Sequence, residues 1–598
     1  MSNKPNEIVT ETDVLVIGGG WAGFFAAIKA KEDGANVTLV EKGYASRAGA
    51  SSMNDGHFTV FNEDWGHKLE GWMAQHAIFG EYLNNPVWTE LTCRESYDRF
   101  QEVLSWGIVP PRDKDGNLAS PFALRYPDGI QAVWIGWGFD TMPFVRKHAL
   151  KVGVNIVDRV QITDLIKHDG VIGGAVGFGT QTGVFHVFKA KATVLCTGSS
   201  GFKVHTHASA SGTASFDGES MVYRAGGELS GMEFSCMGRW RPYADEFPPD
   251  AHVSPREGRK IDDTYTKYDN WLTGGPVLLL GNYIDSEGHG VGSFHPSSLM
   301  TVHDGKGPML LDTEFATQEE IDHAVLLYPP KYDRYKAVDA DPVKRALFSG
   351  NFDMAEAFMG RHLGGGGGVT STDLHGGTSL PGLYSAGDVY HSAVCGGVYA
   401  NGGTGIRVAT VSGARAGHTA AKYASGRGAV AFDDGEISKL REYALGPILR
   451  KGGFDPEWAS EQINGAILPY YVFGVRSGER LKAALTTLEF LEGHVSPRMY
   501  ARDAHELAAA HMFRNRVLGA KMMVASALFR EESRGLQYRE DFPSRDDENW
   551  HCHVKITRDN GKFTMSKMPI DDWWAEYKSK SYLEKYPKRF RGETIPKD

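Results

Sequence analysis

The chain has 598 residues, 41% of them hydrophobic, and a formal charge of −10. That length allows several domains and a sizeable core, while the acidic balance excludes a nucleic-acid surface or a polybasic membrane anchor as the main function. Its 72 glycines are neither periodic nor confined to one tract, which excludes collagen-like and disordered classes.

Taken in chain order, Met1–Asp13 has no apolar stretch of the secretory kind. Thr12–Ile17 (TDVLVI) reads as a buried parallel strand. Gly18-Gly19-Gly20-Trp21-Ala22-Gly23 follows, then helical composition over Phe24–Glu32, then a second strand over Asn36–Val40 with Glu41 at its end. A Gly-x-Gly-x-x-Gly between strand and helix is the context in which that motif binds a dinucleotide. Gly18 allows the tight turn, Gly20 lets backbone approach a pyrophosphate, and Gly23 lets the helix pack on the strand. The helix N-terminus then faces the phosphate charge. Glu41 accepts hydrogen bonds from ribose hydroxyls and disfavours a 2′-phosphate.

From Asp33 to Leu150, apart from that second strand, helical stretches alternate with Gly/Pro/Trp-rich loops. Residues 153–198 read as three strands with tight turns and then one apolar strand ending at Thr197-Gly198, a small antiparallel meander that returns to the main sheet. Residues 246–357 hold more Pro, Asp and Tyr and read as an inserted α+β domain. Gly-rich core signals return over 361–413. Residues 430–535 are helical in pattern, and 536–598 are charged and aromatic without clear periodicity.

The five cysteines, Cys93, Cys196, Cys236, Cys395 and Cys552, are far apart and form no CxxC. The chain therefore offers no iron–sulfur or zinc-ribbon spacing, and a reducing, cytoplasmic compartment is expected. The longest uncharged stretches, Val171–Phe188 and Val389–Ile406, are too rich in glycine and polar residues for a transmembrane helix. His205-Thr206-His207 and His551-Cys552-His553 place imidazoles on alternate residues, but no acid or Cys at zinc spacing accompanies them, so no metal is expected. No GxSxG elbow is present.

Ala192–Gly198 (ATVLCTG) and Leu380–Asp388 (LPGLYSAGD) resemble the two downstream cofactor segments of the glutathione-reductase-like FAD proteins. That resemblance implies bound FAD, with Asp388 at the flavin ribitol. No second strand–GxGxxG–helix unit provides a separate NAD(P)H domain. The order of parts, with Arg530-Glu531-Glu532-Ser533-Arg534-Gly535 followed by Tyr538-Arg539-Glu540-Asp541-Phe542-Pro543, resembles a larger group over nearly the whole chain. The group comprises the flavoprotein subunits of succinate dehydrogenase and fumarate reductase, L-aspartate oxidase, and the α subunit of adenylylsulfate reductase.

The fold expected is α/β: a Rossmann-like, glutathione-reductase-like FAD-binding domain with an inserted α+β capping domain and a C-terminal helical domain. Its boundaries are 9–245 and 358–428 for the FAD-binding domain, 246–357 for the cap, 429–535 for the helical domain and 536–598 for a tail. The cofactor residues implied are Gly18, Gly20, Gly23, Glu41, Lys42, Ala50, Ser51, Ser52, Gly56, Thr197, Gly198, Asp388, Gly403 and Thr404.

Departures from the dicarboxylate enzymes narrow the reading. Gly49, in Ser46-Arg47-Ala48-Gly49-Ala50, stands where membrane succinate dehydrogenases carry the His that bonds to FAD, so the cofactor is expected to be non-covalent. Gly212–Gly218 (GTASFDG) lacks the substrate His of HTxTGDG. Ala400-Asn401-Gly402-Gly403-Thr404 lacks the Arg of the Ala-Asn-Arg-Leu-Gly loop, and Met232–Pro242 lacks Phe-His-Pro. His362, in Met359-Gly360-Arg361-His362-Leu363-Gly364, matches the His of the fumarate reductase His-x-x-x-Gly-Gly element. It also resembles the adenylylsulfate reductase loop whose His lies over the flavin face. Gly307–Thr313 (GPMLLDT) resembles an element of relatives of that protein, and Arg239-Trp240-Arg241 resembles its substrate funnel.

The resemblance implies two-electron transfer between flavin N5 and a small anionic substrate. His362 would polarise or protonate that substrate, and Arg241 or Arg239 would neutralise its charge. Three chemistries stay open: a saturated or unsaturated carboxylate, a sulfur-containing nucleotide, or direct oxidation by oxygen as in aspartate oxidase. A separate iron–sulfur subunit is the electron partner implied, and a homo-oligomer stays open.

Overall fold

The computed structural model describes residues 7–54, 56–112, 116–118, 130–198, 200–202, 214–234, 282–284, 305–306, 309–312, 349–350, 359–360, 367–391, 393–397, 403–428, 432–467, 469–570, 574–586, 590 and 592–596. β1 (Glu7–Ile17) is the central strand. Its alternate residues enter different cores: Val14 and Val16 pack on one face, Leu15 and Ile17 on the other. Burial on both faces is why this strand reads as a near-continuous apolar run. The chain turns into α1 (Trp21–Glu32) and returns as β2 (Val37–Glu41), parallel to β1. The helices α2 (Leu69–Phe79) and α3 (Pro86–Ser105) follow, the second started by Pro86 behind an Asn85 cap.

The segment 153–198 differs from its expected form. The stretch expected to be its first strand is two strands, β3 (Asn155–Asp158) and β4 (Val160–His168), separated at Arg159, whose φ is 61°. β3 pairs parallel with β2, and β4 pairs antiparallel with β5 (Val171–Gly179). The expected third strand and the apolar strand after it are one element, β6 (Phe185–Leu195). No turn residue interrupts FHVFKAKATVL, so the strand runs on. It pairs with β1 along its full length, and its first residues also pair with β5.

After α4 (Asp217–Arg224), β7 (Leu229–Ser230) and β8 (Gly368–Thr370) belong to a second sheet. β9 (Leu383–Ser385) returns to the first sheet and pairs parallel with the end of β6. The main sheet therefore has the order β3-β2-β1-β6-β5-β4, with β9 on β6. β10 (Tyr390–His391) then pairs with β8. α5 (Thr404–Ser425) lies on α1 so closely that a Cβ at Gly413 or Gly417 would be 2.4 or 2.3 Å from the Ala22 or Ala26 carbonyl oxygen. Part of the glycine excess serves this backbone approach.

Of the expected cap, Asn282–Ile284, Met309–Asp312 and Ser349–Gly350 form a three-stranded antiparallel sheet. The helical region comprises α6 (Asp434–Leu449), α7 (Pro456–Ile467), α8 (Gly478–Phe490) and the long α9 (Ala504–Phe529).

The tail is more regular than its sequence pattern suggested. β11 (Cys552–Asp559) and β12 (Lys562–Pro569) form a hairpin around Asn560 and Gly561, both with positive φ. Asn-Gly is the pair that such a turn favours. β11 completes the second sheet in the order β10-β8-β7-β11-β12. Among the described residues no helix is long and apolar enough to cross a membrane.

Candidate functional site

A cleft opens at the C-terminal ends of β1, β2 and β6, the place where parallel sheets of this kind take ligands. The glycine loop forms one wall. Gly18 has φ 111°, and a Cβ there would be 2.2 Å from the Cys196 carbonyl oxygen. Gly23 lies behind the wall, where a Cβ would be 1.8 Å from the Gly18 oxygen, so it sets how closely α1 meets the loop. α1 has no acidic residue in its first turn, and Gly20 provides no side-chain cap. The Trp21 N–H donates to the Ser51 hydroxyl oxygen at 3.0 Å, which places that hydroxyl at the helix N-terminus.

Glu41 ends β2 with both carboxylate oxygens oriented. Oε2 accepts from the Gly19 N–H at 2.8 Å and Oε1 from the Gly43 N–H at 2.9 Å. Lys42 also lines the cleft, but its ammonium is committed: Nζ lies 2.6 Å from Asp217 Oδ2 and donates to Ser215 Oγ at 2.9 Å. Asp217 Oδ1 accepts in addition from Ser215 (2.8 Å) and Asn515 Nδ2 (2.8 Å). Burial pushes the Asp217 carboxyl up, but Lys42 and these donors outweigh it and hold the group below the ordinary carboxylate value. Asn515 in turn accepts from Arg224, which pairs with buried Asp164.

The far wall is made by Thr197 and Gly198 after β6, by Asp388 after β9, and by Gly405 and Ile406 at the start of α5. The Thr197 hydroxyl is buried and has no hydrogen-bond partner among the described residues. A dinucleotide fits these features. Backbone can approach it at the glycines, the N-terminus of α1 suits its phosphate charge, Glu41 supplies acceptor oxygens, and the Thr197 hydroxyl is left for a ligand atom.

Gly18, Gly20, Glu41, Lys42, Ala50, Ser51, Thr197, Gly198 and Asp388 are thus brought together around one cleft. Gly23, Ser52, Gly56, Gly403 and Thr404 stand behind it. Ser52 donates to the Gly49 carbonyl at 3.0 Å, Gly56 packs against Gly136, and Gly403 precedes α5 with φ 92° against His57. Gly49 lines the cleft and carries no nucleophile. His362, Arg239 and Arg241 lie outside the described residues, as do Cys236 and the His205-Thr206-His207 stretch. Sequence reasoning missed Asp217 and Asn515. The Asp-Gly of GTASFDG was its available signal for the first; nothing local marked the second.

His551 and His553 are turned to backbone carbonyls. Their Nε2 atoms donate to the carbonyls of Tyr82 (2.9 Å) and Leu83 (2.8 Å), and burial pushes His553 down to about 3. Among the described residues no group of three His, Cys, Asp or Glu side chains could hold a metal ion.

The run from Arg530 is not a solvated helix end. Arg530 and Arg534 are 0% exposed and share Glu532, at 2.5 and 2.8 Å. Arg530 also pairs with Glu233 at 2.9 Å, and Arg534 with Asp547 at 2.8 Å. Arg539 chelates Asp541 and donates to the Ala527 and Leu528 carbonyls, closing the C-terminus of α9.

Residues 13–240 match the family model for the FAD binding domain, and residues 465–582 match that for the fumarate reductase flavoprotein C-terminus. The chain is 26% identical to a subunit of the fumarate reductase (CoM/CoB) of Methanothermobacter marburgensis, covering 92% of this chain and 97% of that one. It is also 26% identical to the fumarate reductase flavoprotein subunit of Mycobacterium tuberculosis, over 94% and 98%. Among solved structures, adenylylsulfate reductase of Archaeoglobus fulgidus superposes with TM-score 0.74 at 21% identity, covering 95% of this chain and 97% of that chain. Quinol fumarate reductase of E. coli gives TM-score 0.74 at 18% identity, covering 94% and 97%. At these identities the structural likeness concerns the fold.

Proposed function

We propose that this chain, which belongs to the FAD-dependent succinate dehydrogenase/fumarate reductase flavoprotein superfamily, moves an electron pair between its flavin and a small anionic substrate held beneath the inserted segment. FAD is the cofactor and supplies two-electron chemistry at flavin N5 when bound. The chain's own residues bind it without a covalent link: the glycine loop and Ser51 at the pyrophosphate, Glu41 at the ribose, Asp388 at the ribitol.

One observation carries the reading. Gly201–Phe202, just beyond the cleft residues Thr197 and Gly198, pairs antiparallel with Met359–Gly360. That pairing ties Met359–Gly360, which precede His362 in the chain, to the segment that follows two cleft residues, and it supports a site in which His362 serves the same cleft. His362 then holds or delivers a proton at the substrate, and Arg241 or Arg239, just beyond Glu233–Phe234, offsets its negative charge.

The substrate is a carboxylate adjacent to a C–C bond that is oxidised or reduced. A sulfur-containing nucleotide is the second reading, favoured by Gly402 and by GTASFDG, which lack the Arg and His of the dicarboxylate clamp. An electron-carrying partner protein fits both readings, because the described cysteines Cys93, Cys196, Cys395 and Cys552 are all buried singly.

Anaerobic titration of the purified holoprotein separates these readings by the change in flavin absorbance: succinate is added to the oxidised protein, and fumarate or adenylylsulfate to protein first reduced by a dye. His362→Ala is expected to keep FAD and to lose about 100-fold in the responding reaction. Full activity in that variant, with only a lower melting temperature, would assign His362 to structure.

A further inference from the structure

The turn Gly80–Asn84 joins α2 to α3. Its residues Glu81 (φ 51°) and Tyr82 (φ 59°) are both left-handed, although neither is Gly or Asn, and both are buried. A bulky side chain rarely adopts that conformation, so something other than local preference holds it. Four successive carbonyls of the turn accept from C-terminal side chains: Glu81 from Arg534 Nη1 (3.5 Å), Tyr82 from His551 Nε2 (2.9 Å), Leu83 from His553 Nε2 (2.8 Å) and Asn84 from Trp574 Nε1 (2.7 Å). Arg545 grips the Glu81 carboxylate twice, at 2.8 and 2.9 Å. The Tyr577 ring stacks on Tyr82 at 4.7 Å, with Trp574 edge-on.

The other edge of the turn holds a different segment. The Asn85 N–H donates to the Ala393 carbonyl (2.6 Å), the Gly397 N–H donates to the Gly80 carbonyl (2.9 Å), and the Thr89 hydroxyl donates to the Val394 carbonyl (3.4 Å). Gly396 has φ 64°, and a Cβ there would be 2.5 Å from the Gly80 oxygen. Ala393–Gly397 lies between Asp388 and Gly405, both of which line the cofactor cleft.

We propose that the Gly80–Asn84 turn, clamped by the C-terminal segment, is a positioning device for the stretch of chain that frames the flavin. Arg545, His551, His553 and Trp574 are its positioning residues. None of them lines the cleft; they act by forcing the turn into a backbone conformation whose far edge fixes Ala393–Gly397. Strained backbone persists where its surroundings over-determine it, and such places collect at functional segments. This inference rests on the cleft holding FAD and is independent of the substrate.

The test uses the full-length holoprotein. Trp574→Phe keeps an aromatic ring near Tyr82 and removes the N–H to Asn84 together with part of the fused ring. We expect FAD to be retained, amide exchange at Asn85 and Gly397 to accelerate about 10-fold, the size of one lost hydrogen bond, and the flavin midpoint potential to shift. His553→Leu should do the same, and His553→Gln, which restores a side-chain N–H, should return both readouts toward the parent. Unchanged exchange and potential with only a lower melting temperature would overturn the proposal and leave the clamp a simple staple. Loss of FAD or fold in both Trp574→Phe and His553→Leu would overturn it as well, because a positioning role requires that the scaffold survive.

Discussion

At the cofactor cleft the chain presents backbone. The contacts that define it are a carbonyl 2.2 Å from where a Gly18 Cβ would be, the N-terminus of α1 with Ser51 on its Trp21 N–H, and a Glu41 carboxylate held by two N–H groups. Beneath the C-terminal segment the chain presents ionised side chains instead: Arg530, Arg534 and Arg545 are almost wholly buried among Glu233, Glu532, Asp547, Glu81 and Glu593. Backbone is already hydrogen-bonded and pre-shaped before a ligand comes, so the cleft can stand open. Buried charges have no such latitude, because each one is stable only with its partner in place. The first region is built to receive something, and the second is built to be complete.

The largest effect should come from breaking that completeness. Glu532→Ala leaves Arg530 with Glu233 and Arg534 with Asp547, but strips each guanidinium of a shared carboxylate. We expect a loss of about 3–5 kcal/mol of stability, as for other broken buried pairs, read as the urea midpoint at constant slope. The FAD bound per folded molecule should be unchanged. A loss under about 1 kcal/mol would put the network on a level with surface pairs and erase the contrast between the regions.

The mirror experiment spares the fold and weakens the ligand. Glu41→Gln turns one acceptor of the carboxylate into an N–H₂ that must face the Gly19 or Gly43 N–H. A charge-assisted acceptor pair is worth roughly 1–3 kcal/mol, so FAD should bind about 10- to 100-fold more weakly by equilibrium dialysis, with the apoprotein still folded and its melting temperature lowered only by the one lost backbone contact. Unaltered affinity would mean that Glu41 only braces the glycine loop.

The smallest effect sharpens the comparison through pH. Asp547 is also held below its ordinary value: burial opposes this, but Arg534, Tyr586 and Lys585 outweigh it. A carboxyl whose folded value is lowered stabilises the protein fully above the ordinary 3.8 and loses that contribution as pH falls through the lowered value. Asp547→Asn should therefore be less stable than the parent at pH 6, and the difference should narrow below pH 3.8. A difference independent of pH would show that packing, rather than charge, is what Asp547 contributes.

How much was legible in advance follows the same division. The glycine loop, its strand and helix, and Glu41 fall within about 30 consecutive residues, the span of a β-α-β unit, and could be read directly. The hairpin of β11 and β12 was legible too, from Asn560-Gly561 between alternating strands, but the charged composition around it concealed the pattern. β6 was divided in reading because strand ends are set by partners, and its partners β1, β5 and β9 lie elsewhere in the chain. Asp217 was in view as part of GTASFDG; its bond to Lys42, 175 residues away, was not.

By itself the sequence determined the dinucleotide loop and the acid at the end of β2, because each is encoded by neighbours whose spacing fixes the backbone; the FAD class and the order of the parts came with the resemblance to known flavoproteins. Only the tertiary structure decided that Lys42 is committed to Asp217, that the Arg530 run is buried, and that Glu81 and Tyr82 are held left-handed by residues 453 to 490 positions farther on. Local preference argues against a left-handed Tyr82 and against buried arginines. Such features exist only where distant groups supply the hydrogen bonds and counter-charges that outweigh the local cost, and those groups become neighbours only when the chain has closed on itself.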